Sequence, residues 1–216
     1  MNIVLLGSPA SGKGTQAKLL AQKFGLYHLS TGDVSRELAK KDARLKEIVD
    51  SGKLIPHEEM TMYVINFLTV EKPSLKNILF EGFPRFIPQY EALEKFLKTK
   101  GDDIDIVFSL EVSQEEAIKR ISSRRTCSKC CRMYNVISNP PPKPDTCECG
   151  GKLFLRKDDE PESVKVRFEY YKDNTEKLIN FVDEKEKLYR VNGERPIDDI
   201  QKDLVEIVEK YGQINH

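Results

Sequence analysis

The sequence predicts an α/β protein in which a parallel sheet of about five strands is flanked by helices. Five short apolar runs alternate with amphipathic stretches, and this alternation is typical of β-α-β units. A glycine-rich turn joins the first apolar run to the first helical stretch. The chain has 216 residues, which is enough to bury a core in one domain with insertions, so a second full domain is not expected.

The first elements follow from hydrophobic spacing. Residues 2–6 are apolar and predict a strand buried on both faces of a parallel sheet. From Lys13 to Phe24 apolar residues recur at helical spacing, and Gly25 stands where helices commonly end. The chain therefore begins with a strand, a glycine loop and a helix.

The later elements continue the same alternation. Further strands are predicted at residues 27–29, 78–80, 104–110 and 188–191. A stripe of apolar residues between Ile197 and Tyr211 predicts a final helix with one buried face. Residues 126–152 break the pattern with cysteines, a proline run and paired glycines, which indicates an insertion with its own small fold.

Composition excludes several classes of partner. Lys+Arg and Asp+Glu are each 35, so the net charge is zero and no global field favours nucleic acid or a membrane surface. No window approaches 18 consecutive apolar residues, and the run at 3–6 is too short for a signal peptide or a membrane helix. We therefore expect a cytoplasmic protein with no nucleic-acid partner and no membrane partner.

The glycine-rich turn has the pattern of a phosphate-binding loop. Residues 7–13, GSPASGK, match G-x-x-x-x-G-K between a predicted strand and a predicted helix. Glycines allow the amide N–H groups to turn around phosphate oxygens, and Lys13 adds a point charge at the helix N-terminus. The alternative is a turn that only ends a strand. Gly14 follows the lysine and the hydroxyl comes at Thr15, which weakens a simple assignment of that hydroxyl to Mg²⁺.

Two more motifs identify a family, because the loop alone leaves ATPase, GTPase, kinase and motor functions open. They are residues 29–36, LSTGDVSR, and residues 80–89, FEGFPRFIPQ. Together with the loop they resemble the nucleoside monophosphate kinase family, most closely the long-form adenylate kinases with a zinc-bearing lid. The resemblance covers nearly the whole chain. It implies a P-loop NTPase-type sheet and reversible, Mg²⁺-dependent transfer of the terminal phosphoryl group of ATP to AMP, which gives two ADP.

The resemblance also implies a division into domains. Residues 1–29, 60–121 and 160–216 form the core P-loop domain, 30–59 a small domain that binds the monophosphate, and 122–159 the lid. Closure of both insertions would assemble the arginines around the phosphates and exclude water. We expect a monomer, because no coiled-coil heptad or long exposed apolar stripe is evident.

The acceptor site implied by the resemblance combines phosphate-binding arginines with residues that contact the base. Arg36 and Arg85 would hold the AMP phosphate, and the Gln89 amide would donate and accept along the adenine edge. A solvated Arg36 paired with a nearby carboxylate is the alternative for that residue. The acceptor residues are Thr31, Arg36, Lys53, Leu54, Ile55, Gly82, Phe83, Pro84, Arg85, Gln89, Arg156 and Arg167.

The donor site would hold ATP through the loop, the lid and the chain near Arg195. Phosphoryl transfer needs alignment and charge neutralisation but no nucleophilic side chain, and planar guanidinium groups suit the spread charge. The implied donor residues are Ala10, Ser11, Gly12, Lys13, Gly14, Thr15, Arg120, Arg124, Met133, Tyr134 and Arg195. The implied catalytic residues are Lys13, Arg85, Arg124, Arg156 and Arg167.

Mg²⁺ would bridge the donor phosphates, and an acidic residue would hold its waters. Glu81 stands where the family usually has Asp, one methylene shorter. We therefore expect Asp33 to be the better candidate for this role.

The cysteines predict a metal site in the lid. All five lie between Cys127 and Cys149, and an odd, clustered set does not suit disulfides. Cys127, Cys130, Cys147 and Cys149 resemble the structural Zn²⁺ ligands of this family, although the second pair is C-x-C instead of C-x-x-C. We expect Cys131 to be free. The alternative that Cys131 replaces one of the four ligands stays open. The alternative is a set of reduced thiols without metal.

Rival functions remain open on the sequence. The same chemistry on UMP or CMP, or with GTP as donor, is the nearest alternative, and Thr31 and Gln89 favour an adenine acceptor. A zinc-ribbon module that binds nucleic acid or protein and uses nucleotide as a switch is a more distant one.

Overall fold

The computed structural model describes residues 1–70 and 74–214. Its strands form a main sheet of five parallel strands and a smaller antiparallel sheet of three. The strands are β1 (Ile3–Gly7), β2 (Tyr27–Ser30), β3 (Ile78–Glu81), β4 (Ile106–Glu111), β5 (Arg124–Cys127), β6 (Met133–Asn135), β7 (Leu153–Phe154) and β8 (Leu188–Asn192).

Helices cover both faces of the main sheet, whose order is β2-β3-β1-β4-β8. They are α1 (Lys13–Phe24), α2 (Thr31–Ala39), α3 (Ala43–Asp50), α4 (His57–Val70), α5 (Ile87–Lys98), α6 (Gln114–Ser122), α7 (Pro161–Tyr170), α8 (Glu176–Asp183) and α9 (Ile197–Ile214). A 3₁₀ turn at Lys157–Asp159 precedes α7, and a π-helical turn at Tyr171–Thr175 joins α7 to α8.

The core lies on the two faces of β1, the central strand. Ile3 is in register with Leu79 of β3 and Ile106 of β4, and all five residues of β1 are buried. One apolar cluster includes residues of α4, α5 and α8, and a second includes residues of α1 and α9. A strand covered in this way needs apolar residues on both faces, which is why the first run of the sequence shows no alternation.

The predicted α/β architecture is confirmed. Each of the five predicted strands is present, with ends that differ by one or two residues from the apolar runs. The largest difference is at β4, which begins at Ile106 instead of residue 104, because Asp105 N–H is bonded to the Asn2 carbonyl at the sheet margin. Helix α1 begins at Lys13 and is capped by Gly25 with φ 63°.

The predicted small fold within residues 126–152 is also confirmed. Strands β6-β5-β7 form an antiparallel sheet of their own, with Arg124 opposite Asn135 and Cys127 opposite Leu153. Within the described parts of the chain, no helix combines the length and the apolar character that a bilayer crossing requires.

Candidate active site

The phosphate-binding loop lies between the carboxyl end of β1 and the start of α1. Gly7 has φ 144°, and a Cβ there would lie 2.5 Å from the Leu110 carbonyl oxygen of β4. Gly12, at the N-terminus of α1, has φ 95°. Ala10 adopts φ 57°, a conformation unusual for a residue with a side chain. Only glycine fits at the first of these positions, so the sequence pattern reflects close packing as well as backbone freedom.

Lys13 turns back into this loop. Its Nζ donates to the carbonyl oxygens of Gly7 at 2.7 Å and Ser8 at 2.6 Å, and to Ser11 Oγ at 3.2 Å. Burial lowers the pKa of Lys13 to about 7, with Glu81 opposing and three nearby arginines reinforcing the change. The ammonium group is therefore poised to gain from an anion bound within the loop.

Three arginines converge on two adjacent carboxylates. Two of the three guanidinium nitrogens of Arg124, Nε at 2.8 Å and Nη2, donate to Asp159. Arg156 donates to Asp158 in the same way, with Nε at 2.8 Å. Arg167 Nη1 donates at 3.0 Å to Asp158 Oδ2 and at 3.0 Å to Asp159 Oδ1. The Asp159 side chain is fully buried. The two carboxylates therefore hold the arginines close together at the base of the lid.

Ionisation of this cluster follows from its charges. Burial alone would raise the pKa of Asp158, but Arg156 and Arg167 hold it below its usual range. Burial lowers the pKa of Arg167 to about 10, against the attraction of Asp158. Arg156, Asp158 and Arg167 are therefore charged at neutral pH.

Ten of the twelve predicted acceptor residues line one cavity of ≈ 100 Å³ between α2, α5 and the arginine cluster. They are Thr31, Arg36, Lys53, Leu54, Ile55, Gly82, Arg85, Gln89, Arg156 and Arg167. Gly52, part of the 52–55 turn that the family resemblance places in this site, also lines the wall. Sequence reasoning did not include the remaining wall residues, which are Gly32, Ser35, Val49, Met60, Phe86 and Asp158. Gly32 and Ser35 lie on α2 beside Thr31 and Arg36, so their sequence neighbours offered a signal for them.

The remaining two predicted acceptor residues are placed differently. The Phe83 side chain is fully buried in the core cluster beneath the sheet, and Pro84 is buried beside it. Arg36 lines the cavity and also pairs with Asp33 at 2.5 Å. The two interpretations of Arg36, a pocket residue and a paired helix charge, therefore both describe its position.

Arg85 and Gln89 are tied together at the cavity wall. Arg85 N–H donates to Gln89 Oε1 at 2.8 Å, and Arg85 Nε donates to the Gly82 carbonyl at 2.8 Å. Gln89 Nε2 donates to the His57 carbonyl at 3.2 Å. One acceptor position and one donor hydrogen of the Gln89 amide remain for a base edge. Burial lowers the pKa of Arg85, and Glu81 opposes that effect.

Glu81, not Asp33, is the carboxylate beside the loop. Its Oε1 lies 3.8 Å from the position that a Gly14 Cβ would occupy, and its Oε2 lies 3.3 Å from His28 Nε2. Burial would raise the Glu81 pKa, but bonds from His28 and Ser30 and the charge of Lys13 lower it to about 2. Asp33 has a side chain that is 60 % exposed. The longer side chain of Glu81 thus still presents an ionised group to the loop.

Of the two predicted donor residues on β6, Met133 contacts the loop and Tyr134 packs inside the lid. A Cβ at Gly14 would lie 3.2 Å from Met133 Cε, so the tip of Met133 covers the loop. The Tyr134 ring is buried among Cys127, Cys147 and Leu153. Its hydroxyl lies 3.3 Å from Cys147 Sγ, so Tyr134 packs inside the lid.

Arg120 contacts the turn that follows β8, and Arg195 lies within that turn. Arg120 Nη1 donates to the Gly193 carbonyl at 2.8 Å, and Arg195 pairs with Asp203 of α9. Gln16, which sequence reasoning missed, donates from Nε2 to the Ile197 carbonyl at 2.9 Å. A contact 181 residues along the chain leaves no local signal in the sequence.

Four cysteine sulfurs form a candidate metal centre. The Sγ atoms of Cys127, Cys130, Cys147 and Cys149 all lie within 4.8 Å of one another, and the shorter separations are 3.4 and 3.5 Å. A tetrahedral zinc with Zn–S bonds of about 2.3 Å places its sulfurs about 3.8 Å apart, so the four thiols fit that ion. Cys131 is exposed and lies outside the set. The lid could therefore be cross-linked by a metal such as zinc.

The fold and the site define an enzyme class. A phosphate-binding loop on a parallel sheet, beside a cavity lined by buried arginines, is a phosphotransferase site of the nucleoside monophosphate kinase type. A family model described as adenylate kinase matches residues 5–187. The chain belongs to the adenylate kinase family.

Curated relatives agree over the full length. An adenylate kinase of Archaeoglobus fulgidus is 40% identical over 97% of this chain and 99% of its own. That of Methanothrix thermoacetophila is 40% identical over 98% of this chain and 100% of its own. That of Bacillus pumilus is 37% identical over 96% of this chain and 98% of its own. The similarity extends over the residues of the lid.

Proposed function

We propose that this enzyme catalyses the reversible, Mg²⁺-dependent transfer of the terminal phosphoryl group of ATP to AMP, giving two ADP. The observation that carries the proposal is that one set of arginines serves both binding regions. Arg85 and Arg167 line the acceptor cavity, and the same two guanidinium groups act electrostatically on Lys13 in the loop. A donor phosphate at the loop and an acceptor phosphate in the cavity would therefore meet among shared positive charges.

The chemistry required of the protein is alignment and charge neutralisation. Lys13 and the loop amides would hold the β- and γ-phosphates, and Arg85 would hold the acceptor phosphate. Arg124, Arg156 and Arg167 would gather the charge that spreads over the transferring group. Direct in-line transfer needs no covalent enzyme intermediate.

The base positions distinguish donor from acceptor. Leu54, Ile55 and Gln89 would contact adenine in the cavity. The turn after β8, which contains Arg195 and is contacted by Arg120, would contact the donor adenosine. Met133 would cover the donor phosphates from the lid. The burial of Tyr134 restricts any contribution of that residue to its backbone or to support of the lid.

Two metal ions have separate roles in this proposal. Mg²⁺ would neutralise the donor phosphates, and Glu81, which is ionised and lies beside the loop, would hold its waters. Zn²⁺ on Cys127, Cys130, Cys147 and Cys149 would be structural, because all four protein ligands are present and none is left open for substrate.

Movement of residues 30–59 and 122–159 relative to the core completes the proposal. The acceptor cavity, at ≈ 100 Å³, is smaller than the roughly 300 Å³ at which small-molecule pockets begin, so we infer that residues 30–59 move outward when a nucleotide enters. Both insertions contact the core, for example where Gly52 packs on Ser163 and where Met133 covers Gly14. Closure around both substrates would exclude water from the transfer.

A nucleotide panel tests the proposal. We expect purified protein with Mg²⁺ to convert ADP into ATP and AMP, and to prefer AMP over CMP, UMP and GMP as acceptor. ATP and GTP are compared as donors in the same assay. Arg85→Ala should lower turnover by orders of magnitude, while Arg44→Ala, an exposed arginine paired with Glu59 outside the cavity, should not. Failure to form ATP and AMP from ADP would refute the proposal.

A further inference from the structure

Arg85 is held by three hydrogen bonds, two from nearby residues and one from a residue distant in the sequence. Its N–H donates to Gln89 Oε1 at 2.8 Å, and its side-chain Nε donates to the Gly82 carbonyl at 2.8 Å. Its own carbonyl oxygen accepts a bond from Thr175 Oγ1 at 3.3 Å. The first two contacts come from the same loop and helix, whereas Thr175 lies 90 residues further along the chain.

Thr175 uses its hydroxyl differently from three other helical hydroxyls of this chain. Ser35, Thr61 and Thr69 each donate to the carbonyl four residues earlier in their own helix, at 2.7, 2.6 and 2.7 Å. This back-bonding is the usual fate of a helical hydroxyl. Thr175 instead reaches across to the loop that carries Arg85, although it is buried and part of a helical segment.

The π-helical turn explains this difference. Thr175 is the last residue of the turn Tyr171–Thr175, and the Glu176 N–H is bonded to the Tyr171 carbonyl, five residues earlier. The wider turn inserts one extra residue into the helix, which changes the direction in which Thr175 and the side chains after it point.

The same continuous helical segment carries Arg167. Arg167 lies in α7, one element before the turn, and lines the cavity together with Arg85. One helical segment thus carries Arg167 and, through Thr175, contacts the loop that carries Arg85.

We propose that Thr175 is a positioning residue that sets the separation of Arg85 and Arg167 across the acceptor phosphate. This inference rests on the proposed function, because it assumes that both arginines bind that phosphate. It adds a residue outside the cavity wall to the machinery of transfer. The side chain acts only through the Arg85 backbone and contacts no substrate.

The test compares Thr175→Val with Thr175→Ser. Valine keeps the shape and removes the hydroxyl, so we expect kcat to fall about tenfold and AMP to bind about fivefold more weakly, with KM for ATP changed less than about twofold. Serine keeps the hydroxyl and should restore both parameters to within about twofold of the original protein. AMP binding is measured by calorimetry, independently of turnover.

Thr69→Val is the matched control, since it removes a hydroxyl that bonds only within its own helix, and it should leave all three parameters unchanged. Thr175→Ala provides a second variant if valine prevents folding. Equal behaviour of the valine and serine variants, or a loss of ATP affinity as large as that of AMP affinity, would overturn the inference. If the original protein does not act on AMP, the proposed function fails first, and that result is separate from either outcome for Thr175.

Discussion

Lys13 is the residue whose charge depends most on its surroundings. Burial holds its pKa at about 7, so in the free protein it is protonated below that pH and largely neutral above it. A bound phosphate favours the protonated form and raises the pKa. Affinity for a triphosphate must therefore decrease as the pH rises from the pKa of Lys13 in the free protein towards its higher pKa in the complex.

We predict that a non-hydrolysable ATP analogue binds about tenfold more weakly at pH 8.5 than at pH 7, as measured by calorimetry. Deprotonation of the nucleotide itself over this range would strengthen binding, so the direction of the change identifies the lysine. In Lys13→Arg the guanidinium stays charged, and the affinity should no longer fall. A profile that is flat or rising in the original protein would contradict this.

Asp159 is the residue on which the arginine cluster depends. Its carboxylate is fully buried and pairs with Arg124 and Arg167. We predict that Asp159→Asn lowers the free energy of unfolding by about 3 kcal/mol, because the partly buried Arg124 loses its counter-charge and Arg167 keeps only Asp158. Urea unfolding measures this. Glu37→Gln removes one partner of the exposed Lys40 pair and should leave the free energy of unfolding unchanged within error.

The sequence identified residues that belong to short motifs and missed those that act across the fold. Lys13 and Arg85 were predictable, because a loop pattern and a neighbouring motif mark them. Thr175 and Gln16 act through contacts with Arg85 and Ile197 that are 90 and 181 residues distant, and no local pattern encodes them. The preference for Asp33 over Glu81 rested on side-chain length, whereas position beside the loop favours Glu81.

At the scale of elements, the strands of the main sheet were easier to predict than the strands of the lid. The main-sheet strands read as apolar runs because helices cover both faces of the sheet. The lid strands are only two to four residues long and carry arginine and cysteine, so hydrophobic periodicity could not reveal them. Their small sheet has few apolar residues, which is why a metal is the expected source of its stability.

We predict that Cys149→Ser releases most of the bound zinc and lowers the melting temperature by about 5 °C or more. Cys131→Ser is the matched control: its thiol is exposed and outside the four-sulfur cluster, so it should retain about one zinc per chain. Metal content is measured by elemental analysis after purification without chelator. Zinc loss from the Cys131 variant with retention in the Cys149 variant would show that the ligand set is wrong.

At the scale of the whole molecule, residues 30–59, which contribute to the acceptor cavity, pack against α7 at Gly52. Gly52 has φ 76°, and a Cβ there would lie 2.4 Å from the Ser163 carbonyl oxygen of α7. Ser163 Oγ also donates to the Asp50 carbonyl at 3.0 Å. A side chain at Gly52 would therefore keep the segment from reaching its position against α7.

We predict that Gly52→Ala raises KM for AMP about tenfold and changes KM for ATP by less than about twofold. Gly101→Ala is the control, since Gly101 has a similar φ of 74° but nothing within 4 Å of its Cβ position. Both variants share the backbone strain, so only the clash separates them. Steady-state kinetics with each substrate varied in turn measures the difference, and identical values for the two variants would rule out the clash.

The separate sheet of the lid has a consequence for how such enzymes diversify. In the described residues, β5, β6 and β7 pair with one another and share no strand with the main sheet. The cysteine-bearing turns of such a unit can therefore change, and with them the heat tolerance and metal dependence of the lid, without altering the pairing of the main sheet. Arg124 of β5 is the exception, because its pair with Asp159 ties this strand to the arginine cluster.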